Sequence, residues 1–213
     1  MKIFKKLLKF LFFVFLILFI LGFSIYGYSR VSSKLEIKNA NNISLYDKNG
    51  NLFFMGNGTS QWINLDDISK YLIDATISTE DKNFYNHFGF DFLRILKASW
   101  INITSGKTKQ GASTISQQYV KNLFLDFDKT WERKWNELWL TLNIEMHYSK
   151  DEILEGYLNT INYGHGMYGI ENASQFYFNK SASDLTLAEA SLLVGIPKSP
   201  SNYFIFRIMH FNI

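Results

Sequence analysis

From Phe10 to Ser29 the chain carries no charged residue, and Leu11 to Leu21 is apolar without interruption. This run constrains the fold more than any other feature, because about 20 apolar residues, each rising about 1.5 Å, span a hydrocarbon core of roughly 30 Å. We read residues 10–29 as one transmembrane anchor. Residues 1–9, with Lys2, Lys5, Lys6 and Lys9, form a cytoplasmic basic tail, and residues 30–42 a mostly polar tether. Lysines before the run and few basic residues just after it place the N-terminus in the cytoplasm. Everything after Arg30 then lies outside the membrane. The rival reading, a cleaved signal peptide, is disfavoured by the length of the run. Bulky Phe23, Ile25, Tyr26 and Tyr28 also stand where a cleavage site needs small residues.

With the anchor set aside, the rest of the 213 residues fits one domain of ordinary size. Lys and Arg number 22 against 19 Asp and Glu, a balance that does not suggest a nucleic-acid partner. With zero cysteines, neither a disulfide framework nor a thiolate metal site is available.

The coarse reading is a mainly α domain with a small hairpin. Two apolar runs flank Asn49-Gly50 between Ile43 and Phe54, a strong hairpin signal. From Asp66 the period becomes helical, with Asp66 and Asp67 as caps and Ile68, Tyr71, Leu72 and Ala75 on one face. A second helix is expected over Asp91–Ile103, burying Phe92, Ile95, Leu96 and Trp100. Residues 104–111 read as a breaker-rich loop. Further helical patterns cover Ser113–Leu123, Thr130–His147, Lys150–Leu158, Met167–Phe178 and Thr186–Val194.

Four blocks stand out from this scaffold. The first runs from Thr79 to Asp91 and contains Glu80-Asp81, Phe84, Tyr85, His87 and Gly89. A carboxylate serves as a general base best when burial or a neighbouring acid raises its pKa, and this block offers two acids among aromatic rings. An isolated Glu-Asp pair would be read simply as charge at a helix end. The second block runs from Gly111 to Asn122. Ser113, Gln117 and Lys121 recur every four residues on one helix face, with Gln118 beside them. Hydroxyl, amide and ammonium in a row suit a sugar–pyrophosphate, although a polar stripe is ordinarily a solvated face. The third block, Lys129 to Glu137, places Arg133 and Glu137 one turn apart, where they can pair. The fourth, Lys150 to Asn159, contains Glu155, which reads as a structural hydrogen-bonding acid. His165 lies between glycines, and no second histidine stands at ligand spacing to make it a metal site.

In order, E-D-x-x-F-x-x-H-x-G, G-x-S-T-I-x-Q-Q-x-x-K-N, R-K-x-x-E and K-x-x-I-L-E-x-Y-L-N closely resemble the peptidoglycan glycosyltransferases, glycosyltransferase family 51. These membrane-bound enzymes, alone or within class A penicillin-binding proteins, polymerise lipid II. Asn162 to Ile170 and Leu185 to Ala190 resemble that family's fifth, scaffold-building region, so the likeness spans roughly Ile43 to Tyr203. The resemblance implies a lysozyme-like fold with the hairpin at its entrance and one glycosyltransferase domain over residues 43–203. It assigns Glu80 as general base and Glu137 as the second acid of the cleft. Ser113, Gln117, Gln118 and Lys121 would line the donor site, with Lys129 and Arg133 facing the leaving pyrophosphate. Asp81, Phe84, His87 and Gly89 would shape the loop. It further implies a divalent cation, Mg²⁺ or Mn²⁺, near the pyrophosphate with Glu137 as a ligand. Lipid II and the growing lipid-linked strand would be the substrates at the bacterial plasma membrane, and a separate transpeptidase the partner.

Two departures qualify the likeness. Lys129 stands where the family usually has arginine, which keeps the charge and loses the bidentate fork. Phe204 to Ile213 replaces the family's proline-containing turn and basic helix with an apolar tail, read as atypical and as a possible truncation of a longer bifunctional protein. The competing expectations are a catalytically weak lipid II- or glycan-binding remnant and a lysozyme-like hydrolase.

Overall fold

The computed structural model describes residues 2–35, 37, 43–46, 52–56, 61–107, 111–124 and 130–198. Its α-helices are α1 (Lys2–Val31), α2 (Lys70–Glu80), α3 (Phe92–Ser105), α4 (Ile115–Phe124), α5 (Trp131–His147), α6 (Lys150–Thr160), α7 (Ile170–Phe178) and α8 (Leu187–Lys198). Two strands, β1 (Ile43–Tyr46) and β2 (Leu52–Gly56), pair antiparallel with Leu45 opposite Phe54. The Asn49-Gly50 turn, Lys129 and the tail after Lys198 lie outside the described residues.

Among the described residues, α1 is the one helix long and apolar enough to cross a membrane, by length and composition, over Phe4–Val31. The stretch after it, expected as a tether, is packed against the domain where it is described. Asn143 Nδ2 of α5 donates to Ser32 Oγ at 2.6 Å, and Tyr119 hydroxyl of α4 donates to the Ile37 carbonyl at 2.7 Å. Ile37 itself joins the core.

That core forms where α4 and α6 meet and where α2 lies on α8, with Leu72, Ile115, Tyr119, Ile153, Leu158 and Leu193 among its buried members. Helix starts follow local chemistry. Ser149 and Glu152 form a capping box on α6, and Thr130 Oγ1 accepts from the Arg133 amide at the start of α5. Gly169, at φ 82°, leads into α7, so that helix starts three residues later than its apolar pattern suggests.

Two expectations about helix faces are overturned. Asp66 and Asp67 sit in a single 3-10 turn, α2 starts only at Lys70, and Tyr71 is exposed while Ile68 and Leu72 are buried. In α3 the apolar stripe faces away from the core. Phe92, Leu96 and Trp100 are 73%, 67% and 70% exposed, whereas Ala98 is buried. At about 100° per residue, Phe92, Leu93, Leu96, Trp100 and Ile103 fall within one arc of about 100°, opposite Ala98. Ile95, expected on the same face, lies outside that arc and is half-buried, so periodicity located only part of the apolar face and could not show what covers it.

Candidate active site

Glu80 is the last residue of α2, and the chain leaves the helix there because Asp81 takes φ −159°. Glu80 is 9% exposed, and its Oε2 accepts from Gln118 Nε2 at 2.8 Å. Among the described residues its buried Oε1 has no hydrogen-bond partner. It helps to line a cavity of about 710 Å³ with Asp81, Lys82, Arg94 and Lys97.

Asp81 turns the other way and is fully enclosed. Its Oδ2 accepts from His87 Nε2 at 2.9 Å and from the Ile115 amide at 3.0 Å, fastening the loop to the N-terminus of α4. Phe84 is completely buried, packs edge-on against Tyr85 at 5.2 Å and carries Lys150 Nζ over its ring at 4.6 Å. Tyr85 donates to Asp151 at 2.9 Å; partial burial, then that bond, push its hydroxyl up to about 12. Gly89, at φ 79°, lets the loop turn where a Cβ would meet Thr141 Cγ2 at 2.9 Å. Its carbonyl accepts from Thr114 Oγ1 at 2.7 Å.

Thr114, missed in the sequence reading, sets the start of α4. Its Oγ1 accepts from the Gln117 amide at 3.2 Å, and its own amide donates to Gln117 Oε1 at 3.1 Å, a reciprocal capping pattern. Ser113 therefore lies outside the helix and is exposed, which corrects the expected row of Ser113, Gln117 and Lys121 on one helix face. Lys121 is exposed on α4, while Gln117 is buried. The buried hydroxyl nearby belongs to Ser116, which donates to Glu145, itself paired with Lys150 at 2.7 Å.

Glu137, on α5, is 3% exposed. Its Oε1 accepts from Gln117 Nε2 at 3.1 Å and from Lys134 Nζ, and its Oε2 lies 3.6 Å from Arg133 Nη1. Lys134 stands three residues before Glu137, the helical spacing that brings side chains together, and joins Arg133 as its second cation. The two adjacent glutamines of α4 thus serve different acids, Gln118 holding Glu80 and Gln117 holding Glu137. Neighbours on a helix diverge by about 100°, so a single Gln-Gln pair can serve two separate acids. Glu155 lies elsewhere, accepting from Trp62 Nε1 at 2.7 Å and the Leu65 amide at 2.9 Å.

Among the described residues, no group of three or more His, Asp or Glu side chains is placed to hold a metal ion. Glu137, the expected ligand, already faces two cations and an amide, a donor set that does not fit a resident Mg²⁺ or Mn²⁺.

Two buried acids on separate helices are each met by a side-chain amide from α4, and two cations gather around one of them. The chain belongs to the family described as Transglycosylase, which matches residues 50–210. It is 57% identical to penicillin-binding protein 2D of Bacillus subtilis (strain 168) over 142 residues, 67% of this chain and 20% of that one. It is 42% identical to penicillin-binding protein 1F of the same organism over 175 residues, 82% of this chain and 23% of the relative. Penicillin-binding protein 1A of Neisseria gonorrhoeae is 44% identical over 162 residues, 76% of this chain and 20% of its own length. The chain spans about a fifth of the length of these relatives.

Proposed function

We propose that this chain is a peptidoglycan glycosyltransferase that polymerises lipid II at the outer face of the bacterial plasma membrane. The growing lipid-linked strand is the donor and lipid II the acceptor. The observation that carries the reading is Glu80, a buried residue that lines the cavity, held by Gln118 on one oxygen while the other has no hydrogen bond among the described residues. That oxygen takes the proton of the acceptor 4-hydroxyl. The resulting alkoxide character at oxygen attacks the donor anomeric carbon from the face opposite the pyrophosphate. One C–O bond forms as the anomeric carbon–phosphate oxygen bond breaks, α becomes β, and the electron pair leaves on undecaprenyl pyrophosphate.

In this proposal Arg133 and Lys134, which pair with Glu137 in the resting protein, meet that developing charge, and Lys121 and Lys129 add further positive charge. Glu137 keeps the two cations aligned and acts as the second acid. Mg²⁺ or Mn²⁺ belongs to this proposal only as a companion of the substrate's pyrophosphate oxygens, and no step depends on it; loss of polymer on chelation would give it a role. The fold is proposed to be lysozyme-like, with β1 and β2 at the entrance. α1 and the outward stripe of α3 hold the site at the bilayer, where both lipid substrates reside, with the N-terminus cytoplasmic. A separate transpeptidase would cross-link the strands.

The test is polymerisation of labelled lipid II by the detergent-solubilised full chain, with Glu80→Gln in parallel. Polymer from the wild type alone is expected. Polymer from Glu80→Gln would overturn the assignment of the base. Shortened strands would mean a hydrolase, and binding without turnover a lipid II-binding remnant.

A further inference from the structure

We propose that Arg94 is a positioning residue that aims Glu80, an inference that rests on Glu80 being the base. Glu80 closes α2, so its carbonyl belongs to the last turn and lacks a helical donor. Arg94 Nη1, from the first turn of α3, donates to that carbonyl. The same Nη1 lies 3.7 Å from Asp81 Oδ1, a buried oxygen with no hydrogen bond among the described residues. One guanidinium nitrogen therefore meets two consecutive residues at the point where the chain leaves α2, and the cation also complements the negative end of that helix.

A second tie runs beside the first. Asp91 Oδ1 accepts from the Arg94 amide at 2.9 Å, and its Oδ2 accepts from Asn83 Nδ2 at 2.9 Å. The start of α3 is thereby locked to the loop that follows Glu80. The Arg94 amide bond, then the Asn83 side chain, hold the Asp91 carboxyl below the usual range.

Glu80 depends on this clamp because its carboxylate has so little direct support. Gln118 fixes one oxygen, and the other must stay free for a proton. The direction of the side chain is then set by where the end of α2 sits. A base displaced by about 1 Å loses on the order of 100-fold in rate. Lysine would restore the charge but hold it on a flexible stem without the fixed plane of the guanidinium, so it should recover only part of the positioning. Arg94 also lines the cavity beside Glu80, so direct substrate contact is the competing role.

The experiment compares the full chain with Arg94→Ala and Arg94→Lys in detergent. It measures amide hydrogen exchange together with kcat and KM on lipid II. Expected for Arg94→Ala are faster exchange over residues 81–89 with α6 and α8 still protected, kcat lower by about 100-fold, and KM within about twofold. Arg94→Lys should recover about tenfold of that loss. Unchanged exchange over 81–89, or a raised KM at unchanged kcat, overturns the proposal, the latter in favour of substrate contact. If Arg94→Ala loses protection throughout, Arg94→Lys decides alone: partial kcat loss at constant KM supports positioning, and wild-type kcat overturns it. A wild type that makes no polymer defeats the polymerase reading separately, because the exchange data judge the clamp without turnover.

Discussion

The Tyr119 hydroxyl lies so close to Gly156 that a Cβ there would meet its oxygen at 2.1 Å and the adjoining ring carbon at 2.4 Å. α4 and α6 approach closely at this point because one of them has no side chain. Tyr119 then crosses to the Ile37 carbonyl at 2.7 Å, linking the residue next to Gln118 to the segment that leads from α1. Burial raises the Tyr119 hydroxyl well above its ordinary range, so it is a constant donor at any working pH.

Gly156→Ala should therefore destabilise by about 3 kcal/mol, the upper end of the usual overpacking cost, because a ring must move and not the tip of a flexible chain. Urea denaturation checks this. Tyr119→Leu should restore part of the loss in the double variant, whereas Tyr119→Phe should not, since ring carbons lie within 2.8 Å as well as the hydroxyl.

The Glu137 cluster predicts an asymmetry. Glu137→Gln removes a charge that is 3% exposed, leaves a carboxamide oxygen that still faces Arg133, and lets the half-exposed Lys134 turn to water. It should cost little stability and most of the activity. Arg133→Met with Lys134→Met leaves a buried carboxylate with only Gln117. Fully buried pairs lose about 3–5 kcal/mol in such a case, but the Lys134 side chain is 52% exposed, so about 1–2 kcal/mol is expected here. Equal denaturation midpoints for the two variants would contradict this account.

Acid stability should depend on Glu189. Its carboxylate accepts from Lys180 Nζ and from the Thr186 amide at 2.9 Å, and these bonds, Lys180 first, lower its pKa from 4.5 to about 2. A folded-state pKa below the unfolded one means the stabilisation is complete above about pH 4.5 and is lost as pH falls through about 2. Thermal unfolding of Glu189→Gln between those limits should show a flatter pH dependence than the wild type. Parallel curves would show that the bonds to Lys180 and Thr186 contribute nothing in solution.

The outward stripe of α3 should matter only where there is a bilayer. The ring of Tyr26 on α1 lies 6.1 Å from that of Phe88 at a tilt of 56°, which brings this part of α1 beside the loop that leads into α3. Leu96→Ser in the full chain should reduce polymerisation severalfold in lipid vesicles and leave the rate in detergent within about twofold. Trp100 fluorescence should be quenched by brominated lipid. Equal rates in both media and an unquenched Trp100 would place the stripe in water.

Much of the site was legible because its residue types recur at spacings that few other demands produce. Glu80-Asp81, the Gln-Gln pair and Arg133 with Glu137 were named from the chain, and the structure gathers them around two acids. Arg94 was not legible. One arginine in a helical stretch carries no local sign of its partner, and the Glu80 carbonyl lies 14 residues away. Thr114 was hidden by Ser113 beside it, since either could cap α4 and only the backbone path chooses between them.

The sequence by itself determined where apolar and polar faces fall, which segments are helical and which residues can exchange protons, because these follow from side-chain chemistry and short-range geometry. Tertiary structure alone decided which face meets the core. Ala98 of α3 points inward while Leu96 and Trp100 point out. It also decided that adjacent glutamines serve different acids, and that Asp81 ties the loop to His87 and α4 while Glu80 is held by Gln118. Periodicity records only that a surface avoids water, and a hydrogen bond between distant helices leaves no trace in the local order of residues.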